Sequence, residues 1–187
     1  LALVLFFVIG CCGAVLLGRL SDIVDYLLYI DKKTGMPNRE KLNIYIGEMA
    51  GKVLPEAFTC FTLNLDNLSE LTKRFGYTVG DGVLKDFAGL VQLMGDTEGM
   101  RGYNGVGRFV VFFEECSSKK AAAMIRILDN QVEEYNSLNP EYPIRYTAAW
   151  ATTEETDTYE IRELLRLSQK KWKQMEKEKK DKTEEET

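Results

Sequence analysis

Arg108-Phe109-Val110-Val111-Phe112-Phe113-Glu114 is apolar at five consecutive positions, all of them aromatic or β-branched. Such a run reads as a strand buried on both faces. The turn-forming Tyr103-Asn104-Gly105 precedes it. Upstream, Phe58 to Leu65 (FTCFTLNL) alternates two sets of side chains and reads as a second strand. Downstream, Tyr142 to Ala151 (YPIRYTAAWA) reads as a third, with Pro143 at its start where a missing donor does least harm.

Between these strands the apolar spacing becomes helical. Asn38 precedes a helix over Glu40 to Met49, and Asn67 to Arg74 is a second. Gly76 and Gly80 punctuate a loop, after which Asp81 can cap a helix carrying Val83, Leu84, Phe87, Leu90 and Val91. Ser118 to Asn136 is strongly amphipathic and is capped by Ser117 or Ser118, and Tyr159 to about Lys180 is the last helix. The order predicts an α/β fold with helices packed on one mainly antiparallel sheet, a ferredoxin-like sandwich.

Composition excludes several chemistries. There is no histidine, which removes Ser-His and Cys-His nucleophile pairs and His-ligated zinc. The net charge of −5 has the wrong sign for a general electrostatic hold on nucleic acid, so no nucleic-acid partner is expected. Cysteines at 11, 12, 60 and 116 show no disulfide or metal spacing, and Cys60 and Cys116 fall in strand-like apolar runs.

Residues 1–18 (LALVLFFVIGCCGAVLLG) contain no charged side chain. As a helix they would extend about 27 Å, close to the ~30 Å of bilayer hydrocarbon. The reading is a transmembrane helix whose upstream part is absent, with the rest on the cytoplasmic side because Arg19, Lys32, Lys33 and Arg39 follow. A buried soluble helix and a lipoprotein signal ending at Cys11 are the alternatives, and the apolar run continues seven residues past that cysteine. Residues 19–30 then form an amphipathic juxtamembrane helix, 31–176 one domain, and 177–187 a charged tail.

Two segments resemble the GGDEF family of diguanylate cyclases. Asp31-Lys32-Lys33-Thr34-Gly35-Met36-Pro37-Asn38-Arg39 is similar to the family's opening D-x-L-T-G-L-P-N-R, and Phe75-Gly76-Tyr77-Thr78-Val79-Gly80-Asp81 with Val83-Leu84 to its F-G-H-x-x-G-D-x-x-L loop. Asn64-Leu65-Asp66 falls where the family has D-x-D at a strand end. The resemblance implies the nucleotidyl-cyclase-like (ferredoxin-like palm) fold. In the family, two domains meet face to face, each carrying one GTP, and two divalent cations held by carboxylates bridge the triphosphate. The product is cyclic di-GMP.

Carried over position by position, the signature G-G-D-E-F is here Gly105-Val106-Gly107-Arg108-Phe109. The metal-binding acid is replaced by Gly107 and the glutamate after it by Arg108, while Val106 stands where glycine permits close backbone approach. The other metal aspartate aligns with Asn64, and Asp66 with a structural aspartate. The guanine-reading asparagine aligns with Thr72 and the guanine-reading aspartate with Asp81, for which the cap reading stands equally. A phosphate-binding lysine aligns with Met175, with Lys177 and Lys179 nearby, and the A-D-x-A-L-Y segment keeps only its aromatic, as Trp172. The inhibitory R-x-x-D aligns with Asp96-Thr97-Glu98-Gly99, so feedback binding there is not expected.

These substitutions predict a degenerate GGDEF domain with no catalytic residues, no metal site and no resident cofactor. Its nucleotide-binding candidates are Asp81, Thr72, Asn64 and Asp66. The expected role is a membrane-anchored signalling module that binds a guanine nucleotide weakly or pairs with a protein partner or second copy. The alternative is a working cyclase using Mg2+ and GTP through atypical ligands such as Asp66 and Asp81.

Overall fold

Strand pairing organises the chain, because the central strand carries large apolar residues on both of its faces. The computed structural model describes residues 14, 15, 18–20, 22–95 and 99–185. A helical lead-in ends at residue 29, and Ile30 bridges Pro37. Helix α1 (Arg39–Met49) leads to strand β1 (Thr59–Leu65), followed by helices α2 (Leu68–Phe75) and α3 (Tyr77–Gln92). Strands β2 (Gly99–Gly105) and β3 (Arg108–Phe113) form a hairpin, and helix α4 (Ser118–Leu138) returns the chain to strand β4 (Tyr146–Thr152). A single turn, α5 (Thr153–Thr156), and the long helix α6 (Ile161–Glu185) complete the order.

The sheet order is β2-β3-β1-β4 and its three pairings are antiparallel, which is the ferredoxin-like arrangement. Phe109, Val111 and Phe113 alternate with Val110 and Phe112, and the two sets enter different cores. The first set meets Leu84, Phe87 and Val91 of α3 and Leu128 of α4. The second meets Leu42 of α1 and Ile161 and Leu164 of α6. Each fully buried phenylalanine contributes about 1.5–3 kcal/mol of transfer free energy, so β3 anchors both layers.

Several expectations are corrected. Tyr103-Asn104-Gly105 is not the turn but the end of β2, with a bulge between Tyr103 and Gly105. The glycines of β2 hid it: a Cβ on Gly102 would lie 2.5 Å from Leu42 Cγ, so close packing on α1 excludes a side chain there. Asp81 is not a helix cap, because α3 begins at Tyr77 and places Asp81 in its second turn. Gly80 lies inside that helix as well, where its Cβ would meet Thr72 Oγ1 at 2.3 Å; it permits contact between α2 and α3. Cys116 lies just beyond β3 rather than in it, and α6 runs on through most of the segment expected as a tail.

The apolar run at residues 1–18 falls almost wholly outside the described residues. Among the described residues no helix is long and apolar enough to cross a membrane. Within the following segment, residues 22–29 are helical as expected, and Ile23, Val24, Leu27 and Leu28 are exposed. Asn38 fixes the exit of this helix by donating to the Leu28 carbonyl (2.7 Å) while capping α1 at Lys41 N (3.1 Å).

The hairpin tip is a two-residue turn, since Gly105 pairs with Arg108. Both central residues have positive φ, 51° at Val106 and 77° at Gly107, the mark of a type I′ turn. Val106 is a poor residue for that conformation. Gly107 is tied down: its carbonyl accepts from Leu65 N (2.9 Å), its amide donates to Tyr103 Oη (3.2 Å), and a Cβ would sit 3.1 Å from Leu65 O. Val106→Asn should therefore stabilise the chain by about 1 kcal/mol, and Gly107→Ala should cost about 1–2 kcal/mol. Urea unfolding followed by circular dichroism measures both; equal and small effects would contradict this account of the turn.

Cys60 is fully buried on β1, with its Sγ 3.4 Å from Ser168 Oγ, and burial pushes its thiol up to about 12. It is protonated at neutral pH. Iodoacetamide at pH 8 should leave Cys60 unmodified in the folded chain and label it only after denaturation, read by peptide mass spectrometry. Rapid native labelling would show that the α6 layer opens.

Candidate functional site

Antiparallel register brings the end of β1 against the hairpin on one side and β4 on the other. Asn64 is opposite Arg108 in one ladder and opposite Thr147 in the other. Beyond this edge lies a groove of about 720 Å³, walled by the β1 end, α2, the hairpin tip and α6. Asn64, Asp66, Thr72, Val106 and Arg108, all singled out from the sequence, line it. Phe109 does not; it is buried beneath, edge-on to Phe87 at 5.4 Å. Gly105 opens on a neighbouring depression instead, and Gly107 is buried against Leu65.

The strand end is internally bonded. Asn64 Nδ2 donates to Asp66 Oδ1 at 2.9 Å, and Thr147 Oγ1 donates to Asp66 Oδ2 at 2.6 Å. Lys179 Nζ lies 3.6 Å from the same Oδ2 and donates to Thr147 Oγ1 (2.7 Å) and the Tyr146 carbonyl (3.0 Å). Both oxygens of Asp66 thus have partners within the chain.

This donor set does not fit a magnesium ion. Hard dications seek several anionic oxygens. Position 64 offers an amide that is donating to a carboxylate, position 107 offers no side chain, and Arg108 adds a permanent positive charge to the same groove. Two unit charges about 5 Å apart repel by roughly 3 kcal/mol at an effective dielectric near 20. Among the described residues no three His, Cys, Asp or Glu side chains converge on a metal position.

Asp81 is elsewhere. Its Oδ1 accepts from Lys33 Nζ at 2.8 Å, and this bond holds the exposed Lys33 ammonium above its ordinary value. Asp81 is not among the lining residues of the groove, so the two acids proposed as atypical ligands are not brought together. Thr72 lines the groove but spends its hydroxyl proton on the Leu68 carbonyl (2.8 Å). The opening motif is a structural loop: Asp31 Oδ1 accepts from Lys33 N (3.1 Å), Thr34 N (2.9 Å) and Thr34 Oγ1 (2.9 Å), and Met36 is fully buried.

The groove's lysines, Lys73 and Lys173, and the ring beneath Arg108 were the part least visible in the sequence. Arg108 lies over the Trp172 ring at 5.8 Å, and Lys73 and Lys173 line the same wall with Tyr77 and Glu176. Trp172, Glu176 and Lys179 succeed one another at spacings of four and three, which puts them on one helix face and was the available signal. Met175 is not among the lining residues, and Asp96, Thr97 and Glu98 of the inhibitory-site alignment lie outside the described residues.

The family model described as "Diguanylate cyclase, GGDEF domain" matches residues 28–182. Among solved structures, a diguanylate cyclase/phosphodiesterase from Caldicellulosiruptor saccharolyticus is 18% identical with a TM-score of 0.65, over 83% of this chain and 91% of that one. The coiled coil and GGDEF domain of DgcB from Caulobacter crescentus, in complex with c-di-GMP, is 15% identical with a TM-score of 0.65, over 81% and 83% of the two chains. The S helix-GGDEF-EAL structure of Vibrio cholerae LapD bound to c-di-GMP is 12% identical with a TM-score of 0.60, over 72% of this chain and 31% of that one. These likenesses are of fold. No curated protein matches the chain in sequence. With the family model covering most of its length, the chain belongs to the GGDEF domain family of diguanylate cyclases.

Proposed function

We propose that this chain is a GGDEF domain of cyclic di-GMP signalling that does not itself join two GTP molecules. It acts as a signalling module that takes a guanine nucleotide or engages a protein partner or second copy. The observation that carries this reading is the pairing at the β1 end: Asn64 and Gly107 stand where the family resemblance calls for metal carboxylates, and Arg108 lies opposite Asn64. Phosphoryl chemistry on a triphosphate depends on cations neutralising the phosphate oxygens. Arginine can neutralise and hydrogen-bond phosphate oxygens but lacks the Lewis acidity with which a metal activates the attacking hydroxyl, so the groove supports binding rather than transfer.

Anchoring at a membrane, with this domain on the cytoplasmic side, is part of the proposal. It is supported by the uncharged run at 1–18 and by Arg19, Lys32, Lys33 and Arg39 after it.

The full chain incubated with GTP and Mg2+ should yield no cyclic di-GMP by mass spectrometry. Turnover on the order of 1 s⁻¹ would refute the reading. Asn64→Asp together with Arg108→Glu should raise Mg2+-dependent GTP affinity at least about tenfold, since the two changes remove a repulsion and add anionic ligands. Gly107 is left unchanged in that test because its backbone disfavours any side chain.

A further inference from the structure

Arg108 is held by an aromatic face. Its guanidinium lies 5.8 Å from the centre of the Trp172 ring, and Trp172 is only 7% exposed with its indole N–H unpartnered. A guanidinium over an aromatic face is attracted to it electrostatically and keeps its N–H donors available. Among the described residues no carboxylate pairs with Arg108, Lys73 or Lys173, although all three line the one groove. The acids on the wall are Asp66, already bonded to Asn64, Thr147 and Lys179, and Glu176. Fixed charge in the groove is therefore positive.

The space suits a ligand larger than one phosphate. Its volume of about 720 Å³ falls within the ~300–1,000 Å³ usual for small-molecule sites. Tyr77, 78% exposed, stands on the rim and offers a flat face to a base. Discrimination between bases has little to work with, because Thr72 donates to Leu68 O and Asp81 is held by Lys33.

We infer that this groove binds the phosphate chain of a nucleoside polyphosphate directly on Arg108, Lys73 and Lys173, with no divalent cation. Arg108 takes two phosphate oxygens with its planar fork, and the lysines add point charges on either side. The inference rests on the reading above, that the chain binds a nucleotide without cyclising it, and deepens it by assigning the grip to protein cations.

Calorimetry on the full chain tests it with GTP in excess EDTA and in excess Mg2+. GTP should bind at least as tightly in EDTA as with Mg2+, GMP should bind at least tenfold more weakly, and inorganic tripolyphosphate should compete. Arg108→Ala should lose at least tenfold in EDTA, and Arg108→Lys should fall between it and the parent. Should Arg108→Ala fail to fold, Lys73→Ala with Lys173→Ala carries the test, since both side chains are exposed; it should lose several-fold. Binding that requires Mg2+, binding unchanged by these substitutions, or no binding in either condition would each overturn the inference. None of those results produces cyclic di-GMP, whose appearance would instead overturn the functional reading.

Discussion

The opposition of Asn64 and Arg108 across the β1–β3 ladder is the constraint on which the rest of this site depends. Both strands are central and cannot slip, because a shift of one residue would exchange Phe109, Val111 and Phe113 with Val110 and Phe112 between the two cores. The hairpin tip adds its own lock through Gly107, whose carbonyl accepts from Leu65 N. Any side chain at position 108 is therefore delivered to the same groove as the β1 end. Chemistry at the site is decided by residue type, with geometry already set by packing.

Much of this was legible in the sequence for a physical reason. Aromatic and β-branched runs such as Arg108–Phe113 leave only a buried strand as a solution, and the helical spacing of Val83, Leu84, Phe87 and Val91 leaves only a helix facing a core. What failed was local chemistry overridden from a distance. Gly99–Gly105 carries three glycines and reads as a turn only in its last three residues, yet it pairs with β3 along its length, and α1 presses against Gly102. Asp81 reads as a cap, yet the helix starts a turn earlier at Gly76, where φ of 88° makes the break that Gly80 was expected to make.

The site divides along the same line. Asn64, Asp66, Thr72 and Arg108 sit on or beside rigid elements, and their convergence was implied by the family resemblance. Lys73 and Lys173 did not stand out, and the partners of Lys33 and Lys179 were not readable from their positions, since long flexible stems let lysine act far from its own backbone position. Lys33 reaches Asp81 across a sequence separation of 48 residues, and Lys179 bonds Thr147 over a separation of 32. No local pattern encodes such pairs.

These lysines change the meaning of the retained acids. Asp66 could have contributed negative charge to a nucleotide-metal site, but Lys179 lies on it, and Asp81, outside the groove, is held by Lys33. The side chains are 56% and 28% exposed in the first pair, and 54% and 41% in the second. Pairs so exposed are screened by solvent and contribute little to stability, so the fold does not depend on them. Their effect is on the potential that a ligand meets. A dication arriving with a triphosphate would compete with Lys179 for Asp66 and face Arg108 as well, whereas a bare phosphate chain meets Arg108, Lys73 and Lys173, which form no carboxylate ion pair among the described residues. The residues at 64, 107 and 108 and the Lys179–Asp66 pair thus act in one direction, leaving a groove better suited to negative groups than to positive ions.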